Sequence, residues 1–162
     1  MVLRRLLLTL IAASMLLCGP AWANDIGGGK RLGVGLGGGT TTSGLTAKYY
    51  LGKRSAVQVF LGQRFAYGNS IGADYILEFP TLAQGAPGRL FWGVGAGVGL
   101  LLYNRTGDTA NVLGLSGVLQ LGWHFRQFPL ELIADWRPTL FVGDYAGGLW
   151  FGGGGGAVRW YF

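Results

Sequence analysis

The 162-residue sequence predicts an all-β protein, an eight-stranded antiparallel transmembrane β-barrel with up-and-down topology. Three observations predict this fold. Charged residues make up only 12% of the chain, about half the share of a typical soluble domain, and apolar residues make up 50%. After the N-terminal segment no run of 18 apolar residues follows, so helical spans are not expected. Apolar residues instead alternate with polar residues or glycine over segments of about ten residues.

The first 23 residues are predicted to be a secretory signal peptide that is cleaved. Two arginines precede apolar residues 6–17, and a small-residue pattern for cleavage ends at Ala23. The apolar run is too short to span a bilayer. The single cysteine, Cys18, leaves with this segment, so the exported domain needs a source of stability other than a disulfide. Residues 24–162 are predicted to form the barrel.

Eight segments of the chain follow the strand pattern. They are residues 30–39, 43–52, 55–66, 70–79, 89–103, 111–125, 129–142 and 150–162. An even number of strands lets the first pair with the last, which leaves no exposed edge. The pieces GKRS, PTLAQGAPG and RQFP are predicted as short turns at the end that holds both termini, and the other pieces as loops at the opposite end.

Within each segment, one set of alternate positions (one parity) is almost wholly apolar, and this pattern supports each predicted strand. In chain order it comprises Leu32, Val34 and Leu36; Leu45, Ala47, Tyr49 and Leu51; Val57, Val59 and Leu61; Ile71, Ala73, Tyr75, Leu77 and Phe79; Leu90, Trp92, Val94, Ala96, Val98 and Leu100; Leu113, Leu115, Leu119, Leu121 and Trp123; Leu130, Leu132, Ala134 and Trp136; and Val158, Trp160 and Phe162. In a barrel these residues face lipid. Their aromatic members gather near the end with both termini, as at a membrane interface.

The other parity collects the charged residues of the strands. The set is Lys48, Arg64, Asp74, Glu78, His124, Glu131, Asp135, Arg137 and Arg159. Eight strands enclose an interior just wide enough for side chains, and buried charges need partners, so the set is interpreted as a structural salt-bridge network that fills the lumen. Antiparallel register predicts four contacts within it: His124 with Glu131, Gln120 with Asp135, Glu131 with Arg159, and Arg64 with Asp74.

Glycines are frequent on the inward parity of three segments. They are Gly33, Gly35 and Gly37 on the first, Gly93, Gly95, Gly97 and Gly99 on the fifth, and Gly153 and Gly155 on the last. They are predicted to relieve crowding in a tightly curved barrel and to let the rings of Tyr50, Phe60, Phe91 and Phe151 lie against the backbone. The alternative is that they line a small cavity that passes ions or holds a ligand.

The chain ends in AVRWYF, in which Val158, Trp160 and Phe162 alternate with inward residues. This ending resembles the C-terminal assembly signal of Gram-negative outer-membrane β-barrels. YYLGKRSAVQVFLG and PLELIADWRPTL are similar to a family of small, functionally uncharacterised eight-stranded outer-membrane proteins of OmpA/OmpX-like shape. The resemblance implies location in the outer membrane, contact with its lipids, recognition by the barrel-assembly machinery and periplasmic chaperones, and a monomeric state.

The function predicted from these features is structural or interaction-based, a contribution to envelope integrity by a small closed barrel. A narrow channel or small-ligand transporter is the alternative, and a lipid A-modifying enzyme is a further one. No enzyme activity and no catalytic residue is expected, because Ser116 lies eight residues, roughly 26 Å, from His124 on its strand. No cofactor or nucleic acid is expected, and no metal, since residues 24–162 hold one histidine and no cysteine.

A basic rim is also predicted at the end that holds both termini. Its members are Lys30, Arg31, Lys53, Arg54, Arg89 and Arg126. Such a rim suits the headgroups of anionic phospholipids, although a rim of this kind is usually only a solvated surface.

Overall fold

The computed structural model describes residues 30–40, 42–64, 68–85, 87–105, 108–143 and 146–162. The predicted signal peptide lies outside this part of the chain. The strands in it are β1 (Leu32–Gly39), β2 (Ser43–Tyr50), β3 (Ser55–Arg64), β4 (Gly68–Gly85), β5 (Gly88–Arg105), β6 (Asp108–Phe125), β7 (Leu130–Trp136), β8 (Thr139–Gly143), β9 (Ala146–Trp150) and β10 (Gly154–Tyr161). Within the described ranges there is no helix of the length and apolarity needed to cross a membrane.

The strands close into an eight-stranded antiparallel barrel. Each strand from β1 to β6 pairs with the next along the chain, and β6 pairs with both β7 and β8. β10 pairs with β7 on one side and with β1 on the other, which closes the sheet. Two of the eight barrel strands are each built from two shorter pieces, β7 with β8 and β9 with β10. The predicted fold class, all-β with eight antiparallel barrel strands, is confirmed.

The break between β7 and β8 falls at Pro138. Trp136 lies opposite Leu119 and Thr139 opposite Ser116, so both pieces keep the same register against β6. Proline has no N–H to donate to the ladder, whereas its carbonyl still accepts a 3.0 Å hydrogen bond from Gly117 N. The predicted strand over residues 129–142 therefore forms one barrel strand, which lacks one backbone hydrogen-bond donor at Pro138.

The last barrel strand departs from the prediction of one continuous strand over residues 150–162. Trp150 lies opposite Thr139 and Gly154 opposite Trp136, so residues 151–153 face only two residues of the neighbouring strand. This extra residue is a bulge, and it inverts the alternation between inside and outside. Phe151 consequently lies on the outer surface, 59% exposed, and not in the lumen as predicted.

The hairpins at β4, β5 and β6 are longer than predicted. Pairing between β4 and β5 continues past a register shift between Phe79 and Ala83 and ends only at Gly85 opposite Gly88. The prediction of PTLAQGAPG as a turn was therefore wrong. Because Pro80 cannot donate to a ladder, the irregularity there takes the form of a bulge within the hairpin, and pairing resumes from Ala83 to Gly85.

The barrel is apolar outside and polar inside, the reverse of a water-soluble domain. Leu36, Leu61 and Phe162 on the outer face are more than half exposed, whereas Lys48 and Arg159 inside are fully buried. Alternation along each strand produces this sorting, since successive side chains point to opposite faces. The interior is thus the place where polar chemistry is concentrated.

Inward glycines lie opposite large inward side chains, which explains their position. Gly33 faces Tyr161 across the β1–β10 pair, and a Cβ there would lie 2.7 Å from the ring. Gly97 on β5 faces Asp74 in the same way, and a Cβ on it would collide with the carboxylate. Phe91 covers Gly122 on β6, where a Cβ would meet the ring. At these positions the packing role predicted for the glycines is observed.

Candidate functional site

The interior holds two clusters of charged and hydroxyl-bearing side chains, one above the other along the barrel axis. The lower cluster, nearer the end with the short turns, consists of Lys48, Tyr50, Glu78, His124, Glu131, Arg159 and Tyr161. The upper cluster consists of Gln58, Asp74, Asp135 and Arg137. β2, β4, β6, β7 and β10 contribute to the lower cluster, so it spans the lumen.

Glu131 is the hub of the lower cluster and is fully buried. Its Oε1 accepts a 2.8 Å bond from Arg159 Nη1, and its Oε2 accepts a 2.9 Å bond from Lys48 Nζ. The Tyr161 hydroxyl donates to Oε2 at 3.0 Å, and His124 Nε2 lies 3.3 Å from the same oxygen. One carboxylate therefore connects both buried cations of this cluster, as a buried charge requires.

Glu78 is the second carboxylate of the lower cluster. Lys48 Nζ forms an ion pair with it and so bridges the two carboxylates. The Tyr50 hydroxyl donates to Glu78 Oε2 at 2.9 Å, and Gln120 Nε2 donates to Oε1 at 3.2 Å. Carboxylates with several donors of this kind form a cross-linked plug whose members hold one another in place.

Strand register accounts for two of the predicted contacts: His124 lies opposite Glu131 across the β6–β7 pair, and Glu131 lies opposite Arg159 across the β7–β10 pair. Gln120 lies opposite Asp135 as predicted, but its amide donates to Glu78, and Asp135 binds Arg137. Lys48 reaches the cluster across the lumen from β2, a contact that no adjacent register specifies.

The predicted contact between Arg64 and Asp74 was wrong. β3 and β4 pair Arg64 with Gly68 and Asp74 with Gln58, so the two residues are six positions apart in register. β4 begins pairing at Gly68, two residues earlier than the predicted segment 70–79, and β3 ends its pairing at Arg64, two residues earlier than the predicted segment 55–66, so the register is displaced. Asp74 instead binds Arg137 Nη1 at 2.8 Å, while the side chain of Arg64 lies outside the described part of the structure.

Arg137 organises the upper cluster. Besides Asp74, its Nη2 reaches Asp135 Oδ2 at 3.1 Å, and its guanidinium lies 4.8 Å from the centre of the Phe60 ring. Gln58 Nε2 donates to Asp74 at 2.8 Å, and Gln58 Oε1 accepts a 3.0 Å bond from Arg159 Nη2. Gln58 thereby connects the upper cluster to the lower one.

Some members of the network were not in the predicted set. Tyr50 and Tyr161 contribute hydroxyls to the lower cluster, and the Thr46 hydroxyl accepts bonds from Arg159 Nε and Nη2 at 3.2 and 2.9 Å. All three residues lie on the inward parity, which is the signal that identifies them. The prediction counted charges and gave no weight to inward hydroxyls.

Three potential metal ligands converge in the lower cluster. Glu78, His124 and Glu131 each offer one ligand atom within 4.8 Å of the other two. The expectation of no metal rested on the count of one histidine and no cysteine, and it did not consider that carboxylates from two other strands converge on that histidine. The ammonium of Lys48 contacts both carboxylates and supplies the positive charge that a cation would bring there. The chemistry of the site is therefore that of an internal ion pair.

The serine on the inward face of β6 is engaged elsewhere. Ser116 Oγ and Thr139 Oγ1 form a 2.9 Å hydrogen bond in the upper part of the lumen. His124 lies in the lower cluster, stacked on Phe91 with ring centroids 4.2 Å apart, and its Nε2 lies 3.3 Å from the Tyr50 hydroxyl. The described side chains thus keep the serine and the histidine in separate polar clusters.

A small cup lies above the upper cluster, toward the loop end of the lumen. Its volume is about 60 Å³, and Phe60, Asp74, Arg137, Thr139 and Phe141 are among its walls. This space is enough for a few water molecules. Below it the Asp74–Arg137 pair forms the floor, so the cup leads directly onto the network.

The three C-terminal residues predicted as the assembly signal lie on the outer face. Val158, Trp160 and Phe162 are 48%, 44% and 65% exposed, and Arg159 between them points inward. The strand that carries them, β10, pairs with β1 and closes the barrel.

Comparisons with protein-family models, with curated proteins and with solved structures find no match for this chain. The architecture is accordingly established by its own strand register, as a closed barrel of eight antiparallel strands. Its interior is a buried salt-bridge network.

Proposed function

We propose that this chain is an integral outer-membrane β-barrel of a Gram-negative bacterium with a closed lumen, and that its role is structural or interaction-based within the envelope. The observation that carries the proposal is the outer surface. By alternation, every outward residue of the described strands is uncharged, and most are large and apolar. Exposure of such a surface to water is energetically unfavourable, whereas contact with the hydrocarbon core of a bilayer is favourable.

The apolar surface has a polar boundary toward the loop end. Ser43, Gln63 and Asn69 lie side by side in register on β2, β3 and β4, and all three are exposed. Leu102 occupies the same register on β5, and beyond it Asn111 on β6 is exposed as well. Between this row and Ser55 at the opposite end of β3, the outward residues of β2, β3 and β4 are apolar or aromatic.

The other boundary is aromatic. Phe79 and Trp92 pair across β4 and β5, and their rings stack at 4.4 Å. From Asn69 to Phe79 the strand advances ten residues, roughly 33 Å, which a tilt of about 40° reduces to about 25 Å along the barrel axis. The apolar band of an outer-membrane barrel has about this height. This agreement supports membrane insertion.

Location in the outer membrane is supported by the resemblance of the C-terminal segment to the assembly signal of such barrels. The outward exposure of Val158, Trp160 and Phe162 leaves that face of β10 available to the barrel-assembly machinery before the strand pairs with β1. Density-gradient fractionation tests the location: the proposal expects the protein with outer-membrane markers, and recovery in the soluble periplasmic fraction contradicts it.

The closed lumen distinguishes this proposal from the channel alternative. Lys48, Glu131 and Arg159 of the lower cluster, and Gln58, which connects it to the upper cluster, are each fully buried in the lumen, where a water path would have to pass. The cup of about 60 Å³ at the loop end favours the channel as a second candidate, because it opens the upper lumen as far as Arg137.

We expect the purified barrel to produce no step conductance above background in planar bilayers, because the network occupies the lumen. Single-channel recording at several voltages checks this, with a large-pore porin as the positive control for insertion and recording. Reproducible unitary steps from the protein would favour the channel in place of the closed barrel.

A further inference from the structure

Basic side chains are concentrated at one end of the barrel. This end, called here the short-turn end, holds the turns at residues 51–54 and 126–129, Pro87 and the end of the chain. Its cations are Lys30, Arg31, Lys53, Arg54, Arg89 and Arg126, called here the basic collar. Of the 13 lysines and arginines of the chain, two lie in the predicted signal peptide, and six of the remaining 11 belong to the collar, so their placement is one-sided.

No carboxylate side chain of the described residues balances the collar at the surface. Asp74, Glu78, Glu131 and Asp135 all point into the lumen, where they are bound by Lys48, Arg137 and Arg159. The backbone of Asp108, the remaining described acid, lies at the loop end of β6. Among the described residues, four acids are therefore bound in the interior and none lies at the short-turn end, so the described side chains give that end an excess of positive charge.

Backbone hydrogen bonds hold the collar in place. Arg31 O accepts a 2.9 Å bond from Tyr50 N, and Arg54 O accepts a bond of 2.6 Å from Glu78 N. Arg126 N donates to Pro87 O at 3.2 Å, which joins two neighbouring turns. Arg31, Arg54 and Arg126 are thus presented from fixed backbone positions at the rim, whereas Arg89 lies on the inward face of β5 opposite His124, with its Nε buried. Arg31, Arg54 and Arg126 are exposed.

Aromatic residues of the outer face lie next to the collar. Trp92, Trp123 and Trp160 point outward near the short-turn end, and Trp123 packs edge-on to Phe125 with centroids 6.5 Å apart. Tryptophan prefers the headgroup level of a bilayer. In a membrane these tryptophans would fix the depth at which the barrel lies in the bilayer, and the collar would then lie at the level of the phosphate groups of the adjacent leaflet.

We infer that the basic collar is a binding surface for anionic phospholipid headgroups of the leaflet at the short-turn end. The inference rests on the proposed membrane function and adds a lipid preference to it. Each Lys or Arg near an anionic surface contributes an attraction that corresponds to roughly a five-fold preference for an anionic over a neutral lipid. The collar presents several such residues to one leaflet. The preferred ligand is a phosphate diester with net negative charge.

Tryptophan quenching by brominated lipids in reconstituted vesicles tests the inference. Brominated phosphatidylglycerol or brominated phosphatidylcholine is mixed at equal fraction into phosphatidylcholine vesicles that contain the folded barrel. We expect the relative binding constant of phosphatidylglycerol to exceed that of phosphatidylcholine about five-fold, and 0.5 M NaCl to reduce it. Replacement of Arg31, Lys53, Arg54 and Arg126 together by Gln is expected to bring the ratio to about one.

The control variant carries Arg64→Gln and Arg105→Gln, because the backbone positions of these residues are at the loop end of β3 and β5. It should keep the wild-type lipid preference. Equal quenching by both lipids, or a preference that survives in the collar variant, would overturn the inference and leave membrane insertion standing. Absence of quenching by either lipid would overturn both proposals. An unboiled gel confirms that each variant is folded before it is compared.

Discussion

Glu131→Gln is expected to lower the free energy of unfolding by about 3–5 kcal/mol. The substitution keeps the size of the side chain but removes the charge that binds Arg159 at 2.8 Å and Lys48 at 2.9 Å. Both cations are fully buried, so neither gains water in exchange. Urea titration of the barrel in lipid vesicles, followed by tryptophan fluorescence, measures the loss.

Asp135→Asn is the matched control for Glu131→Gln. It makes the same chemical change on the same strand, but Arg137 keeps Asp74 as a partner at 2.8 Å. We expect a change within about 1 kcal/mol, because no cation loses its last carboxylate. Equal losses in the two variants would contradict the role of Glu131 as the hub. Adding Arg159→Met to Glu131→Gln should restore part of the loss, because it removes the cation that Glu131→Gln leaves without a carboxylate, whereas Lys48 keeps Glu78.

Val59→Arg is expected to destabilise the bilayer-inserted barrel by about 2–4 kcal/mol. Val59 is 43% exposed on the outer face of β3, in register with Ala47 and Ala73. These positions lie near the middle of the apolar band, where a guanidinium loses its hydration. In a water-soluble protein the same substitution at an exposed site would change stability by less than about 0.5 kcal/mol.

Gln63→Arg provides the comparison on the same strand. Gln63 is exposed on the same face but belongs to the polar row at the loop end, so the expected cost is about 0–1 kcal/mol. Unfolding in vesicles of fixed composition measures both variants. Equal, small effects at the two positions would contradict the assignment of the band to lipid.

The barrel was predictable from the sequence because alternation fixes two faces at once. Along β5, glycine or polar positions alternate with Leu90, Trp92, Val94 and the residues that follow, and this period of two is visible without any tertiary information. Register across a short turn is equally local, and His124 opposite Glu131 was obtained from it. Features that depend on residues near one another in the chain could therefore be predicted from the sequence.

Features that depend on backbone irregularity or on distance across the lumen were not predictable. The bulge at residues 151–153 inverts the facing of Phe151, and no local pattern marks it within a run of glycines. The same limit applies to Arg64, whose register depends on where along the chain β3 ends and β4 begins. The contact of Lys48 with Glu131 joins strands that are not adjacent, so alternation places both inside without pairing them.

A depth scan of spin labels on β4 tests the central claim, that the outer face of the barrel lies in a bilayer, most directly. Residues 24–162 contain no cysteine, so single replacements of Asn69, Ala73 and Leu77 carry one label each, and Asp74→Cys reports the interior. In vesicles we expect oxygen accessibility to be high and aqueous nickel-chelate accessibility low at Ala73, with the reverse at Asn69. High nickel-chelate accessibility at all three outward positions would contradict the account.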